Sequence, residues 1–397
     1  MAARAQRRLG LTDFGDSSFE EPLGVLLKGY NEEANLNLLG RIAARWDTMR
    51  FLLNLLLLKE AETTAPEILD EPIVAPILIT GLPRSGTTFL HSLLALDPSN
   101  RAPLCWETIY PYQRSRRSPE KRDRRPEMVD RQFASFVRMV PELPSLHPMS
   151  ARSPQECIEI VAHVFRSYRF DTTHDVPSYR RWLDDTDHQA EYRFHKRFLK
   201  HLQHSKGRGQ WVLKAPDHIF AMDAIRAVYP DARMVFVHRE PLEVLPSAAR
   251  LTELLRRPFT HAIDRLQIGR DVCERWEMGA ALLIAETERD RQSRSIFHVR
   301  YRELVEDPLG SVADLYRHFG MTLGEDAVAC IQSFLAARPN GGYGHNSYRP
   351  EDFGLDIQTE WQRFTDYRDY FHIEGKKRFA APASVTRVAG SAGSSTC

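Results

Sequence analysis

The sequence predicts an α/β fold in which helices cover both faces of a parallel sheet and a helical layer precedes it. Short β-favouring runs alternate with helical apolar patterns, which is typical of parallel sheets; the runs lie at 77–80, 210–214, 233–238 and 296–301. The third run is almost continuously apolar, as expected for a strand buried on both faces. A chain of 397 residues, 42% of them apolar and 27% charged, suits one α/β domain with additions.

Charge and cysteine content argue against several classes of partner and site. The formal net charge of +1 gives no overall electrostatic reason to bind nucleic acid or an anionic membrane. The five cysteines form no Cys-x-x-Cys pair, which argues against a disulfide framework and a zinc site. Residues 1–11 lack the apolar segment of a signal peptide, and the most apolar run, 51–58, is too short to cross a bilayer. We therefore expect a soluble, cytoplasmic protein with no nucleic-acid partner and no transmembrane segment.

Residues 1–70 predict an N-terminal helical extension. Apolar side chains recur there mostly three or four residues apart: Leu36, Leu38, Leu39, Ile42, Phe51, Leu52, Leu55 and Leu56. We expect these helices to pack on a main α/β domain over 71–380; a dimerisation or membrane-surface role is the alternative. The small polar residues of 381–397 predict a disordered tail.

The central element is the strand–loop–helix unit around Gly81 and Gly86. In this geometry backbone N–H groups and a helix N-terminus surround an anion. The two glycines have the spacing of a P-loop, but Thr87 stands where the P-loop lysine would be, and the cation is Arg84, inside the loop. A guanidinium with neighbouring hydroxyls suits a phosphate or sulfate without a metal. The sequence therefore predicts a P-loop-like anion site rather than a magnesium–triphosphate site.

Three further side chains follow predicted strands. Lys214 ends the second run, Arg239 follows the third, and Tyr301 ends the fourth. Ligands of parallel sheets bind beyond the carboxyl ends of the strands. We therefore expect Arg84, Lys214, Arg239 and Tyr301 to converge on one edge of the sheet.

Residues 113–206 predict a helical insertion on the substrate side. Within it, seven of the twelve residues of 114–125 are basic, which predicts a solvated loop or, alternatively, a rim that attracts an anionic substrate. The dispersed histidines lack the spacing of metal ligands and are interpreted as structural or surface residues: His147, His163, His174, His188 and His195. No metal site is expected.

Pro83–Thr88 resembles the 5′-phosphosulfate loop of sulfotransferases that use 3′-phosphoadenosine-5′-phosphosulfate (PAPS). The similarity extends from about residue 76 to 310. Arg239 and Ser247 resemble the family's 3′-phosphate site, and Tyr301 is similar to the tyrosine that contacts the adenine. The resemblance implies that PAPS is the donor and PAP (3′,5′-adenosine bisphosphate) the product, with these nucleotide-binding residues: Arg84, Ser85, Gly86, Thr87, Thr88, Arg239, Ser247 and Tyr301.

The same resemblance implies an in-line transfer of the sulfuryl group to a hydroxyl, with Arg84 and Lys214 supplying positive charge. Lys214 followed by Pro216 resembles the protein-tyrosine sulfotransferase branch and the bacterial enzymes near it. Two residues are candidates for the general base. Glu107 lies where that branch carries its catalytic glutamate, although two extra residues intervene after Arg101. His218 follows Lys214, as a histidine does in cytosolic sulfotransferases. Glu107 is the preferred candidate.

One departure from the cytosolic members concerns the 3′-phosphate. Their Gly-x-x-Gly-x-x-Lys segment is absent here, and residues 341–349 occupy the corresponding part of the chain. Arg349 or Tyr348 is predicted to take over its role.

The acceptor is not identified by the sequence. Aromatic side chains between 106 and 180 would suit a lipid, sterol, phenol or polyketide alcohol, and a sugar is also possible: Trp106, Tyr110, Tyr112, Phe133, Phe136, Phe165, Tyr168 and Phe170. A homo-oligomer is possible. The alternative functions are a P-loop nucleotide or small-molecule kinase, and a non-catalytic protein that keeps the pocket.

Overall fold

The computed structural model describes residues 1–113, 123–337 and 349–374. Its centre is a sheet of five parallel strands in the order β2-β3-β1-β4-β5. The strands are β1 Ile77–Gly81, β2 Asn100–Arg101, β3 Gln210–Lys214, β4 Arg233–His238 and β5 Ile296–Arg300. The predicted α/β fold is confirmed. Strand β1 lies in the middle, so the loop that follows it opens at the centre of the carboxyl edge.

The sheet is covered on both faces because successive strand residues point in opposite directions. Ile79 and Val235 pack in the core on one face, together with helices that follow β1 and β5. Leu78 and Phe236 pack in the larger core on the other face. Neighbouring strands stay in register through pairs such as Ile79 with Val235.

Three helices form the start of the chain: α1 Ala2–Leu9, α2 Glu20–Glu32 and α3 Leu38–Thr64. Asn37 begins α3 because its side chain accepts a hydrogen bond from the Gly40 N–H at 2.8 Å. The second half of α3 is buried, and Phe51 shares one core with Phe236 of the sheet. The helices therefore pack on the sheet; the domain boundary at residue 70 stays a prediction.

Among the described residues between β1 and β3, eight α-helices are found, most of them within the predicted insertion. They are α4 Thr87–Leu94, α5 Cys105–Ile109, α6 Arg125–Met139, α7 Leu143–Leu146, α8 Cys157–Val161, α9 Arg169–Thr173, α10 Pro177–Asp184 and α11 Gln189–Lys206. Most of the basic run, residues 114–122, lies outside the described residues.

The remaining helices follow β3. They are α12 Met222–Val228, α13 Pro241–Arg256, α14 Arg265–Asp290, α15 Tyr301–Glu306, α16 Pro308–His318, α17 Glu325–Ala337, α18 Ile357–Arg363 and α19 Thr365–Phe371, with 3₁₀ turns at Pro66–Asp70, Ala162–Val164, Pro216–Ala221 and Pro350–Phe353. The Asp217 carboxylate accepts a hydrogen bond from Arg275 at 2.9 Å, and α12 begins only after a 3₁₀ turn.

None of the described helices combines the length and the apolar character that crossing a bilayer would require. The tail at 381–397 lies outside the described residues, and its disorder stays a prediction, as does the cytoplasmic location.

Candidate active site

Residues 81–86, here called the glycine loop, turn the chain from β1 into α4. A Cβ atom on Gly81 would lie 2.3 Å from the carbonyl oxygen of Val237 on the neighbouring strand. A Cβ atom on Gly86, where φ is +100°, would lie 2.7 Å from the ring of Tyr301. Side chains at either position would therefore collide with their neighbours, and glycine allows β4 and Tyr301 to approach the loop closely.

Two polar residues inside the glycine loop are prepared for an anion. Arg84 adopts a left-handed backbone conformation with φ of 62°. The hydroxyl of Ser85 is fully buried and has no hydrogen-bond partner within the described residues. A buried hydroxyl without a partner is costly, so a ligand oxygen at this position would satisfy it. The N-terminus of α4, beginning at Thr87, adds backbone N–H groups.

Four predicted nucleotide-binding side chains meet beside the glycine loop and are here called the donor cluster: Arg84, Arg239, Ser247 and Tyr301. Arg84 Nε donates to Ser247 Oγ at 3.2 Å, and Arg239 Nη1 donates to the Arg84 carbonyl at 2.9 Å. The Arg239 guanidinium also stacks on the Tyr301 ring, 4.0 Å from its centre. Residues from the ends of three strands and from α13 thus form one connected group.

Arg239 is also paired with a carboxylate. Its Nη2 lies 3.0 Å from Oε2 of Glu243, which is in the first turn of α13. Glu243 holds the guanidinium in place. An incoming phosphate would either share the guanidinium with Glu243 or displace the Glu243 carboxylate from it.

A second group lies at the end of β3 and is here called the transfer cluster: Thr88, His147, Glu156 and Lys214. Lys214 is buried, and its Nζ donates to Thr88 Oγ1 at 3.1 Å and to Glu156 Oε1. Burial alone would raise the pKa of Glu156, but the ammonium of Lys214 outweighs that effect and holds the pKa below its usual value. Glu156 is therefore an ionised carboxylate next to the cation expected to assist the transfer.

Sequence reasoning missed Glu156. The residue occupies the N-cap position of α8 but makes no capping hydrogen bond with its side chain. Glutamate is not among the favoured N-cap residues. The available signal was therefore a glutamate directly before the mostly apolar segment 157–161, whereas its partner Lys214 is 58 residues away.

His147, interpreted from sequence as structural or surface, follows α7 and faces the same charges. Burial lowers the pKa of His147 to about 4; Lys214 and Arg84 act in the same direction, while Glu156 opposes them. The ring is therefore neutral at physiological pH, and His147 directly follows the last residue of α7.

Glu107, the preferred base from the sequence, is buried at the start of α5. Its Oε2 accepts a hydrogen bond from the N–H of Leu104, the residue that precedes α5, at 3.1 Å. Burial raises the pKa of Glu107, and the cations that oppose this shift are Arg101, Lys206 and Arg125. These cations belong to neither cluster. The structure thus brings Glu156, rather than Glu107, to Lys214.

His218, the second candidate base, is enclosed. Its Nδ1 is hydrogen-bonded to the Tyr192 hydroxyl at 2.5 Å, and its Nε2 has no partner within the described residues. Burial lowers the pKa of His218 well below its usual value. The ring lines a small cavity of about 20 Å³ together with Tyr192 and Glu191, large enough for one water molecule.

Arg349 lies apart from these contacts. It is exposed, and its Nη2 donates to Asp352 Oδ1 at 3.1 Å. Tyr348 lies outside the described residues, so a role for either residue at the 3′-phosphate stays a prediction. No group of three or more histidine, cysteine, aspartate or glutamate side chains in the described ranges is arranged to hold a metal ion.

Comparison with known proteins identifies the family. The model of the family described as "Sulfotransferase family" matches residues 76–325, more than half of the chain. The omega-hydroxy-beta-dihydromenaquinone-9 sulfotransferase Stf3 of Mycobacterium bovis is 26% identical over 304 residues, covering 70% of this chain and 71% of that protein. Its counterpart in Mycobacterium tuberculosis matches equally.

Two solved structures share the architecture over nearly the whole chain. Sulfotransferase STF1 of Mycobacterium tuberculosis superposes with a TM-score of 0.80 and 33% identity, covering 92% of this chain and 97% of that one. Sulfotransferase STF9 of Mycobacterium avium gives a TM-score of 0.83 and 27% identity, covering 94% and 96%. These relatives do not favour the kinase alternative. The chain is a member of the sulfotransferase family, enzymes whose general activity is the PAPS-dependent transfer of a sulfuryl group to a hydroxyl.

Proposed function

We propose that this chain takes its sulfuryl group from PAPS and transfers it to the hydroxyl of an apolar, lipid-like alcohol, with Glu156 as the general base. The observation that carries the donor assignment is the connection of Arg84 to Ser247 and of Arg239 to the Arg84 carbonyl. A ligand with phosphates on both sides of a nucleoside fits two such linked cation sites.

The parts of the donor would be held by different residues. The glycine loop, Ser85 and the N-terminus of α4 suit the 5′-phosphate, since they offer N–H groups and a buried hydroxyl without a partner. Arg239 and Ser247 suit the 3′-phosphate because a guanidinium binds phosphate through two parallel hydrogen bonds. Tyr301, already stacked on Arg239, offers a flat surface to the adenine.

The donor supplies a sulfuryl group bonded to a phosphate oxygen. In the transfer, the bond from sulfur to that oxygen breaks, a bond to the acceptor oxygen forms, and the acceptor proton passes to the Glu156 carboxylate. Arg84 and Lys214 stabilise the negative charge that develops on the phosphate side. No metal is required in this scheme.

Glu156 is suited to the role of base because its pairing with Lys214 can change. While Lys214 binds Glu156, the carboxylate is a weak base with a lowered pKa. A donor anion that attracts the ammonium would weaken this pairing, and burial would then raise the proton affinity of the carboxylate. Glu107 is hydrogen-bonded to a backbone N–H rather than to a cation that the donor could attract away. The His218 ring is hydrogen-bonded to Tyr192 in the interior.

The proposed acceptor class rests on an apolar cluster and a relative. Val140, Leu143, Leu146 and Leu254 form a buried cluster beside His147, which faces the transfer cluster. The relative Stf3 is named for an omega-hydroxylated dihydromenaquinone, a lipid. We therefore expect the acceptor to be a hydroxylated lipid rather than a sugar.

The experiment is a calorimetric titration with PAP beside ATP and magnesium. Tight binding of PAP with feeble binding of ATP is the expected result, because the proposed donor site would hold two phosphates and Thr87 stands in place of the P-loop lysine. Tight ATP binding with feeble PAP binding would contradict the donor assignment.

A further inference from the structure

The first half of α3 exposes an apolar stripe, here called the α3 face: Leu38, Leu39, Ile42 and Trp46. Leu38 is 75% exposed, Ile42 57% and Trp46 47%. The spacing of three and four residues places these side chains on one side of the helix. The second half of the same helix, in contrast, is buried from Phe51 to Leu56.

The α3 face points outward because the other side of the helix is tightly docked. A Cβ atom on Gly40 would lie 2.0 Å from the Phe259 carbonyl oxygen. The Asn37 amide donates to the carbonyls of Pro258 and Thr260 at 3.0 and 3.2 Å. The start of α3 is therefore rigidly placed on the segment that follows α13, with its apolar side chains directed away.

Two arginines accompany these side chains. Arg41 and Arg45 are exposed within the same two turns of the helix, and the segment 38–46 contains no acidic residue. Exposed apolar side chains, an exposed tryptophan and flanking arginines are the composition of a helix that lies in the interface of a membrane. From this combination, we propose that the α3 face docks the protein on an anionic phospholipid surface.

The helix that carries the α3 face is joined through its docked side to the acceptor side of the site. Phe259, which holds the start of α3, stacks on Phe136 of α6 with ring centres 5.9 Å apart. Beyond α6, the buried cluster around Leu143 and Leu254 joins α7 to α13. His147 follows α7 and faces Lys214 and Glu156. Apolar contacts thus lead from the docked side of α3, opposite the α3 face, to α7 and the residue His147 that follows it.

This connection gives the docking a purpose, which rests on the proposed lipid-like acceptor. A long apolar alcohol dissolves in the bilayer rather than in water. An enzyme that sits on the membrane through the α3 face would receive such an acceptor without passing it through solvent.

A second copy of this chain is the competing occupant. In a twofold interface the same patch meets itself, so the Arg41 and Arg45 of both copies would be brought together. Since the segment 38–46 offers no carboxylate to balance them, lipid phosphates are the more suitable partner.

The test uses the full chain and vesicles of phosphatidylglycerol with phosphatidylcholine. Wild type is expected to co-sediment, and the variant L38S/I42S/W46S is expected to bind at least about tenfold more weakly, since it removes three apolar side chains from the contact. The matched control V74S/M278S changes exposed apolar residues elsewhere on the surface and should bind like wild type. Binding by the triple variant equal to that of the control would overturn the proposal.

Two further measurements separate the electrostatic contribution to vesicle binding from the apolar contribution. The variant R41Q/R45Q should lose roughly 10- to 30-fold in affinity for the anionic vesicles and little for pure phosphatidylcholine. Trp46 is the exposed one of the six tryptophans, so its emission should shift to the blue when vesicles are added. An unchanged affinity of R41Q/R45Q, or no shift, would contradict the docking.

The remaining outcomes distinguish this inference from the proposed function. Intact PAP binding without vesicle binding would overturn the docking and leave the donor assignment standing. Vesicle binding without PAP binding would overturn the donor assignment and leave the docking standing. A wild-type dimer that L38S/I42S/W46S converts into a monomer would assign the α3 face to a second copy instead.

Discussion

Glu156 and Lys214 form a buried ion pair in which each charge depends on the other. Removing one partner of such a pair leaves an uncompensated charge in the interior, which is far costlier than leaving the pair intact. The pair is nevertheless not only structural, because Lys214 also reaches Thr88 beside the glycine loop. A charged ligand at that loop can therefore act on Glu156 through Lys214.

The first residue-scale prediction compares the two glutamates. Glu156→Gln should lower kcat roughly 10²- to 10⁴-fold, because the amide cannot accept the acceptor proton, while PAP affinity stays close to that of wild type. Glu107→Gln is the matched control, and it should lower kcat far less, since its carboxylate caps α5. Steady-state rates with the first acceptor found, together with calorimetry, measure both. A full-rate Glu156→Gln enzyme would return the role to Glu107 or His218.

The second residue-scale prediction concerns Arg239. Arg239→Ala should weaken PAP binding by about 10²-fold, because a charge-assisted hydrogen-bonded contact with the 3′-phosphate is lost, and it should change 5′-AMP binding little. Arg233→Ala at the amino end of the same strand is the control, because its side chain contacts Gln210 away from the glycine loop. Equal losses for the two nucleotides would place Arg239 away from the 3′-phosphate.

At the scale of elements, the sequence was informative wherever a residue's role depended on its neighbours in the chain. The alternation of strands and helices predicted β1, β3, β4 and β5, and each functional strand end could be located. Strand β2, at Asn100–Arg101, is too short to leave a pattern. The 3₁₀ turn at Pro216–Ala221 was also missed, because the contact between Asp217 and Arg275 joins distant segments.

The candidate site was likewise predictable only where a residue's role depends on its neighbours in the chain. The glycine loop and Arg239 stand out because their spacing along the chain is itself the signal. Glu156 was not found because its role depends on α8 placing it against Lys214, 58 residues away. Local spacing cannot encode a contact of this kind, and only the packed structure reveals it.

The element-scale prediction tests how α3 is held. Asn37→Ala should destabilise the protein by about 2 kcal/mol, because it removes the N-cap of α3 and two hydrogen bonds to the segment after α13. Asn37→Ser keeps a capping hydroxyl but lacks the amide donors, so it should lose about half as much. Urea unfolding measures both free energies. Equal stability of Asn37→Ala and wild type would show that the cap does not hold the start of α3.

At the scale of the whole molecule, several histidines are buried in their neutral form. Burial lowers the pKa to about 3 for His91, His163 and His195, and to about 4 for His174 and His298. His163 shows the reason: its Nδ1 lies 3.1 Å from the Glu159 and Ile160 carbonyls, and its Nε2 accepts from the Asn54 amide at 3.0 Å. A second ring proton would have no acceptor.

These histidines predict how stability depends on pH. Because their pKa is lowered on folding, they are neutral in both states above about pH 6.5, where they contribute no pH dependence. Between about pH 6.5 and 4 the unfolded chain binds protons that the folded chain excludes. The free energy of unfolding should therefore fall as the pH falls, by up to about 1.4 kcal/mol per pH unit for each histidine.

Urea unfolding at several pH values between 7.5 and 5 checks this expectation. The buried carboxylates that are held ionised, such as Asp47 beside Arg169 and Arg50, lose their stabilising effect only at lower pH, because burial opposes but does not overcome the pull of both arginines on the Asp47 pKa. The decline in stability should therefore begin near pH 6.5, where histidines titrate in the unfolded chain. A free energy of unfolding that stays constant down to pH 5 would mean that the buried rings accept protons without unfolding the chain.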